Sequence, residues 1–336
     1  TLSVDALRSE GPNEVTLGAL RYRLPVQGMR GFVEAGYSYN EFTIGVGPGI
    51  KVDTELAAFD LGYGRHWLRR GDLNLTQTVD LSYKDSSISV SNDPAASRDQ
   101  KMLDGSTTLA YDALFPEQRL ILDGSTTLKV GYLREGEVDG APGFPGQDAT
   151  YYVLSQRGRL YKNYDPVSLL VRASAQWSEE ALAPANRFTL GGPNGVRSLL
   201  SEDVAVDKGA FASFQLYWNL PERMDEDMPW AGTSVARAFR PYVFYDYAYG
   251  VQNAFRIDRF TLDDDWFEFG ALGVGLEYNL FRNARGGYAV TGSLNYARPE
   301  KSRFGNRDFE NVIEDDDRIY VNLRFEFDQN TFEGLR

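Results

Sequence analysis

The sequence predicts an all-β chain, a transmembrane antiparallel β-barrel of about 14 strands. Three observations lead there. Apolar and polar residues alternate with period 2 through nearly the whole chain. The alternating segments run roughly 9–17 residues, against a mode of about 5–6 for strands of soluble sheets. The connections mostly alternate short and long, the layout of a barrel with tight turns at one membrane surface and long loops at the other.

Taken in order, segment 15–24 places Thr16, Gly18, Leu20, Tyr22 and Leu24 on one face and Val15, Leu17, Ala19, Arg21 and Arg23 on the other. A short turn, Pro25-Val26-Gln27-Gly28, leads into 30–44, and a looser Gly/Pro loop at 46–52 follows. Segments 53–67 and 72–90 meet at Arg69-Arg70-Gly71, and a polar loop covers 91–99. Segments 101–113 and 118–133 meet at Phe115-Pro116-Glu117, before a longer Gly/Pro loop at 135–148. Segments 149–162 and 167–177 are joined by 163–166. A polar, Gly-rich stretch at 187–209 precedes the strand 209–220. The connection 224–235 is long for a turn. Strand 240–250 precedes an acidic loop ending Asp263-Asp264-Asp265. Segments 266–281 and 288–298 are joined by 283–287, and a second acidic run, 314–317, precedes the last strand, 318–327. The heptapeptide LDGSTTL occurs at both 103–109 and 122–128, but its flanks do not repeat, so it reads as coincidence rather than a solenoid.

The faces separate a membrane barrel from a soluble sheet. In the last strand Ile319, Val321, Leu323, Phe325 and Phe327 lie opposite Arg318, Tyr320, Asn322, Arg324 and Glu326. In 167–177 the apolar side is Val167, Leu169, Val171, Ala173, Ala175 and Trp177. The side Tyr288, Val290, Gly292, Leu294, Tyr296 ends in tyrosine at both tips, which suits aromatic girdles at two interfaces. A half-buried soluble sheet predicts the alternation, but not so many long strands in succession. A mean hydropathy of -0.40 fits both, because only every second residue of a barrel strand meets lipid. No run of about 20 apolar residues is present to form a spanning helix.

The net charge of -13 argues against nucleic-acid binding. Cysteine is absent and His66 is the only histidine, which leaves little for cysteine, multi-histidine metal or Ser-His chemistry. The acidic runs lack the spacing of a calcium loop and read as solvated faces. His66, beside Trp67 and a tight turn, reads as an interfacial or lumen residue. No enzymatic activity, cofactor or metal is expected. Thr1 is not an initiator methionine, which implies removal of an upstream piece.

The stretch 187–209 is too long for an ordinary strand connection, and loops of that length are usually functional. It reads Phe188-Thr189-Leu190-Gly191-Gly192-Pro193-Asn194-Gly195-Val196-Arg197, then Asp207-Lys208-Gly209 into a strand. Downstream, Phe244 and Asp246 share a face opposite Val243, Tyr245, Tyr247 and Tyr249. The aromatic side should meet lipid, so Asp246 should point inward, where a guanidinium can bind it bidentately. Such a pair is worth about 1–3 kcal/mol if partly shielded and under about 1 if hydrated.

These segments resemble the two-partner-secretion transporters, the hemolysin-activator and filamentous-haemagglutinin exporters of the BamA-like superfamily. Their loop pattern is roughly F-x-L-G-G-x-x-S-V-R-G-[FY], with a partner strand F-x-D-x-G. Phe244-Tyr245-Asp246-Tyr247-Ala248 stands in the strand's place, and LGALRYRLP at 17–25 resembles the family's G-x-L-x-Y-x-x-P. Departures are Gly195 for serine, Ser198-Leu199 for the Gly-aromatic pair, Ala248 for glycine and Gln215 for glutamate. They leave room for a divergent member or another superfamily branch. The resemblance implies a lumen loop anchored by Arg197 and Asp246. Gly191, Gly192, Gly195, Val196, Asp207 and Gly209 would form its loop motif, and Phe244 and Ala248 the strand motif. It also implies a 16-strand barrel preceded by POTRA domains. Residues 1–327 would then be a barrel lacking its first hairpin, with 328–336 as a tail. An even set of 14 can also close by itself.

The implied function is export of an unfolded secreted partner protein across the bacterial outer membrane. The implied partners also include outer-membrane lipids and the barrel-assembly machinery that inserts the chain. A barrel insertase and a passive porin are the alternatives.

Overall fold

The computed structural model describes residues 2–9, 14–26, 30–47, 50–91, 98–135, 148–183, 186–200, 204–221, 224–228, 233–253, 256–257, 260–261, 265–280, 288–305 and 316–327. Among the described residues, fourteen antiparallel strands form one sheet. They are β1 (Leu2–Ser9), β2 (Glu14–Val26), β3 (Gly31–Gly47), β4 (Ile50–Arg69), β5 (Leu73–Val90), β6 (Arg98–Phe115) and β7 (Leu120–Glu135). The remainder are β8 (Asp148–Asn163), β9 (Val167–Trp177), β10 (Lys208–Trp218), β11 (Phe239–Gln252), β12 (Asp265–Leu280), β13 (Tyr288–Phe304) and β14 (Arg318–Phe327). Their order in the sheet is their order in the chain. Contacts divide the chain into two compact units. The first is Thr1–Asp112, Ser125–Ser155 and Ser178–Ala183; the second is Ala113–Gly124, Gln156–Trp177 and Pro184–Arg336.

Alternation becomes two faces of opposite chemistry. In the first unit the register aligns Leu20, Tyr37, Phe59 and Tyr83 in one row across β2–β5, and all four are exposed. In the second unit Leu216, Val243, Val274, Tyr296 and Ile319 align across β10–β14, and all are exposed. Ordered rows of large apolar side chains are what a lipid-facing wall requires. No helix among the described residues is long and apolar enough to cross a membrane. The opposite, inner face of the second unit carries the row Leu170, Gln215, Phe244, Gly273, Ala297 and Arg318.

The sequence boundaries hold at β9 and β14 and shift elsewhere. β1 is an additional strand, paired with β2 from Leu2↔Tyr22 to Ser9↔Val15. The loop expected at 46–52 is mostly strand: β3 reaches Gly47 and β4 starts at Ile50, with a register shift between Gly45 and Gly47. Antiparallel pairing carries both strands past the segments where apolar alternation is strongest. β2 likewise runs through Pro25 to Val26, which pairs with Gly31. The connection 224–235 contains a two-residue ladder, Asp227–Met228 with Thr233–Ser234, leading into a single helical turn, Val235–Ala238. In the acidic run 314–317, Asp317 accepts a hydrogen bond from the Tyr296 hydroxyl at 2.6 Å, and Asp265 begins β12. Residues 27–28, 92–97, 136–147, 263–264, 283–287 and 314–315, and the tail 328–336, lie outside the described residues.

Candidate functional site

The loop 187–209 packs on the inner face of the second unit; residues 201–203 of it lie outside the described residues. At its base Phe188 and Thr189 pair with Val206 and Ala205, and the Leu190 amide donates to the Val204 carbonyl at 3.0 Å. Beyond that base the chain makes a tight turn. The Val196 amide donates to the Leu190 carbonyl at 2.8 Å, and the Gly195 amide to the Gly192 carbonyl at 3.0 Å. Gly192 has φ 90, a conformation that glycine adopts without a Cβ penalty. A Cβ on Gly195 would sit 2.2 Å from the Leu190 carbonyl oxygen, so this chain's turn has no room for the serine of the pattern that it resembles.

The loop's aliphatic side chains bury themselves against the wall. Leu190, Val196, Leu199, Val204 and Val206 form one cluster with Phe211, Ala248, Phe267, Phe269 and Ala271. Each fully buried aliphatic contributes about 1.5–3 kcal/mol. Leu199 is fully buried in that cluster, an apolar side chain at the place of the aromatic in the two-partner-secretion pattern that the loop resembles. Ala248 is fully buried on the floor of the same cluster.

Arg197 follows this turn. Its Nε donates to Asp246 Oδ2 at 2.7 Å and its Nη2 to Asp246 Oδ1 at 2.8 Å, a bidentate pair. Its own backbone amide donates to the same carboxylate at 3.3 Å. Side-chain exposure is 3% for Arg197 and 0% for Asp246, so the pair is shielded rather than hydrated. Removing either partner would leave a buried unpaired charge, at a cost of about 3–5 kcal/mol. The guanidinium lies 3.3 Å above the centre of the Phe244 ring. That ring lies over Gly273, where a Cβ would be 2.2 Å from it, and the Tyr242 ring lies over Gly275 in the same way at 2.3 Å.

Further polar groups complete the site. Arg197 Nη2 donates to Ser213 Oγ at 3.2 Å and Nη1 to Asn295 Oδ1 at 3.3 Å; Asn295 Oδ1 also accepts from the Tyr242 hydroxyl. The Gln215 amide is best satisfied with its oxygen accepting from Arg172 Nη2 at 2.9 Å and its nitrogen donating to the Tyr217 hydroxyl at 2.8 Å. Tyr217 in turn donates to Glu277 at 2.6 Å. A neutral amide at 215 thus accepts from one arginine while Asp246 holds the other.

Of the residues singled out in sequence, Arg197, Asp246 and Phe244 meet at one point, and Gly191, Gly192, Gly195 and Val196 shape the turn beside them. Asp207 stands apart at the loop's base. It is fully buried, 3.5 Å from Arg187 Nε, and accepts from the Asn253 amide at 2.8 Å. Gly209 is the second residue of β10, where a Cβ would press on Val206 and Phe188. Sequence reasoning missed Ser213, Tyr242, Asn295, Arg187 and the loop's apolar packing. The alternating glycines at 273 and 275, two strand positions able to seat rings from a neighbouring strand, were a visible signal.

No protein-family model matches the chain, and no curated protein sequence matches it. Solved structures do. CdiB from Acinetobacter baumannii superposes with a TM-score of 0.62 at 15% identity, covering 97% of this chain and 53% of that one. CdiB from Escherichia coli gives 0.61 at 19% identity, covering 92% and 53%. The chain has the fold of the CdiB barrels. It is a transmembrane antiparallel β-barrel fold, and the chain spans about half the length of the structures it matches. The ferric-catecholate import receptor Fiu of E. coli K12 also superposes, at 0.51 with 8% identity over 94% of this chain and 52% of that one. A barrel of this kind therefore serves more than one task, and function must be argued from the site.

Proposed function

We propose that this chain is the pore of an outer-membrane translocator that exports an unfolded partner protein, with residues 187–209 as its plug. The observation that carries this reading is the buried bidentate pair Arg197–Asp246, which fastens a long loop to the inner face of the wall. The sequence resemblance to two-partner-secretion transporters and the fold shared with the CdiB barrels support it. The apolar outer rows face outer-membrane lipid, and the barrel-assembly machinery inserts the chain. The secreted protein is the cargo; no catalytic step or cofactor is part of the mechanism. The loop can leave only if the apolar wall beneath it is covered again. An extended cargo segment with alternating apolar residues supplies that cover.

The test is single-channel conductance of the full-length protein in planar bilayers, wild type beside a deletion of 191–208. A mostly closed or flickering wild type and a large steady pore in the deletion are expected. The same steady pore from both would remove the plug and make a passive porin the better account.

A further inference from the structure

The loop is held from a second side by a strand that the Arg197–Asp246 pair does not involve. Arg318 and Tyr320 lie two residues apart on the inner face of β14. Arg318 Nε donates to the Ser198 carbonyl at 2.7 Å, and the Tyr320 hydroxyl donates to the Leu199 carbonyl at 2.7 Å. These are the two carbonyls after Arg197, both on fully buried residues. Buried carbonyls need donors, and the Leu199 carbonyl has a second one, the Gly192 amide at 2.9 Å, which closes the loop's own turn. Tyr320 is opposite Asn295 in the β13–β14 register, and Asn295 accepts from Arg197 itself. The loop is therefore gripped from β11 mainly through the Arg197 side chain, with its amide beside it, and from β14 through backbone carbonyls alone.

We propose that Arg318 and Tyr320 are positioning residues that latch the loop to β14, so that loop withdrawal and loosening of this strand's inner face are one event. The functional consequence rests on the plug reading; the latch itself does not. The two grips differ in kind. Arg197 depends on side-chain identity and charge, whereas the latch reads only backbone geometry. The latch sits at the end of the β13–β14 ladder, whose last pair is Ala297↔Arg318, and the ends of strands open more readily than their middles.

Hydrogen exchange of the full-length protein tests this, comparing wild type, Tyr320→Phe, Arg318→Lys and the double variant Arg318→Ala/Tyr320→Phe. Tyr320→Phe, which removes only a hydroxyl, should speed exchange of the loop amides at 192 and 199 about fivefold, and the double variant by about 30-fold or more. Arg318→Lys, which can still donate to the carbonyl, should retain most of the protection. Amides of β14 should accelerate in step with the loop, while those of β2–β5 keep their wild-type rates. Loop exchange within twofold of wild type in the double variant would overturn the latch, as would acceleration spread evenly over the chain. Conductance separates the two claims. A deletion of 191–208 that leaves the pore unchanged defeats the plug while the exchange result stands. A deletion that opens the pore, with loop exchange unaltered in the double variant, defeats the latch alone.

Discussion

Two buried aspartates, one in each unit, solve the same problem with different partners. Asp104 on β6 accepts a hydrogen bond from the Tyr151 hydroxyl on β8 and pairs with Lys84 on β5 at 3.4 Å. Tyr151 reaches it across Gly131 on β7, where a Cβ would lie 2.2 Å from the ring. Asp246 on β11 has the matching parts: an aromatic neighbour, Phe244, lying over a strand glycine, Gly273, and a cation. The difference is where the cation comes from. Lys84 belongs to the wall; Arg197 belongs to a loop. A carboxylate satisfied by its own sheet stiffens the sheet and nothing more. A carboxylate that depends on a loop makes the loop's position part of the wall's electrostatics.

The sharpest way to break this comparison is Asp246→Ala. It leaves Arg197 buried without a counter-charge, so loop docking should weaken by about 3–5 kcal/mol. Exchange of the amides at 192 and 194–199 should rise by at least a hundredfold while the strands of the first unit stay protected. Gly273→Ala comes next: a methyl forced against the Phe244 ring costs about 1–3 kcal/mol of overpacking and shifts the surface on which the guanidinium stacks. Loop exchange should again rise, and a shift in denaturation midpoint with unchanged loop exchange would contradict the stack. Asp104→Asn should cost about 1–2 kcal/mol of global stability in denaturant unfolding, with loop exchange and conductance at wild-type values. Any opening of the loop by that change would show that the two carboxylates are not independent. Smallest is Arg21→Ala. Its pair with Glu34, at 3.2 Å with Arg21 64% exposed, should be worth under about 0.5 kcal/mol in the same unfolding measurement.

How much of this was legible in the chain follows from what each feature depends on. Period-2 alternation is local, so the strands and their lipid faces could be read, and β9 and β14 to the residue. The inward direction of Asp246 came from the same parity, since Val243 and Tyr249 are exposed while Phe244 and Asp246 are buried. Register is not local. Nothing in the sequence places Asn295 beside Arg197, 98 residues away, or Tyr320 against Leu199 at 121. The loop's apolar anchoring was hidden for another reason. Its aliphatics are scattered among glycines and charges, and only the folded turn gathers Leu190, Val196, Leu199, Val204 and Val206 on one side. Strand β1 was missed because it is short and its alternation breaks at Leu7, an apolar residue on the polar side, and at Arg8, a charge on the apolar side.

The central claim is that Arg197 and Asp246 act as one unit to hold the loop on the wall. A double-mutant cycle tests it directly. The chain lacks cysteine, so Val196→Cys, a small change at a fully buried position, supplies a thiol that a maleimide reaches only when the loop undocks. Labelling rates would be compared for this protein and for its Arg197→Ala, Asp246→Ala and double variants. The account predicts that each single change raises the rate by about two orders of magnitude and that the double change adds little more. Single changes with less than about a threefold effect, or two effects that multiply in the double variant, would contradict it.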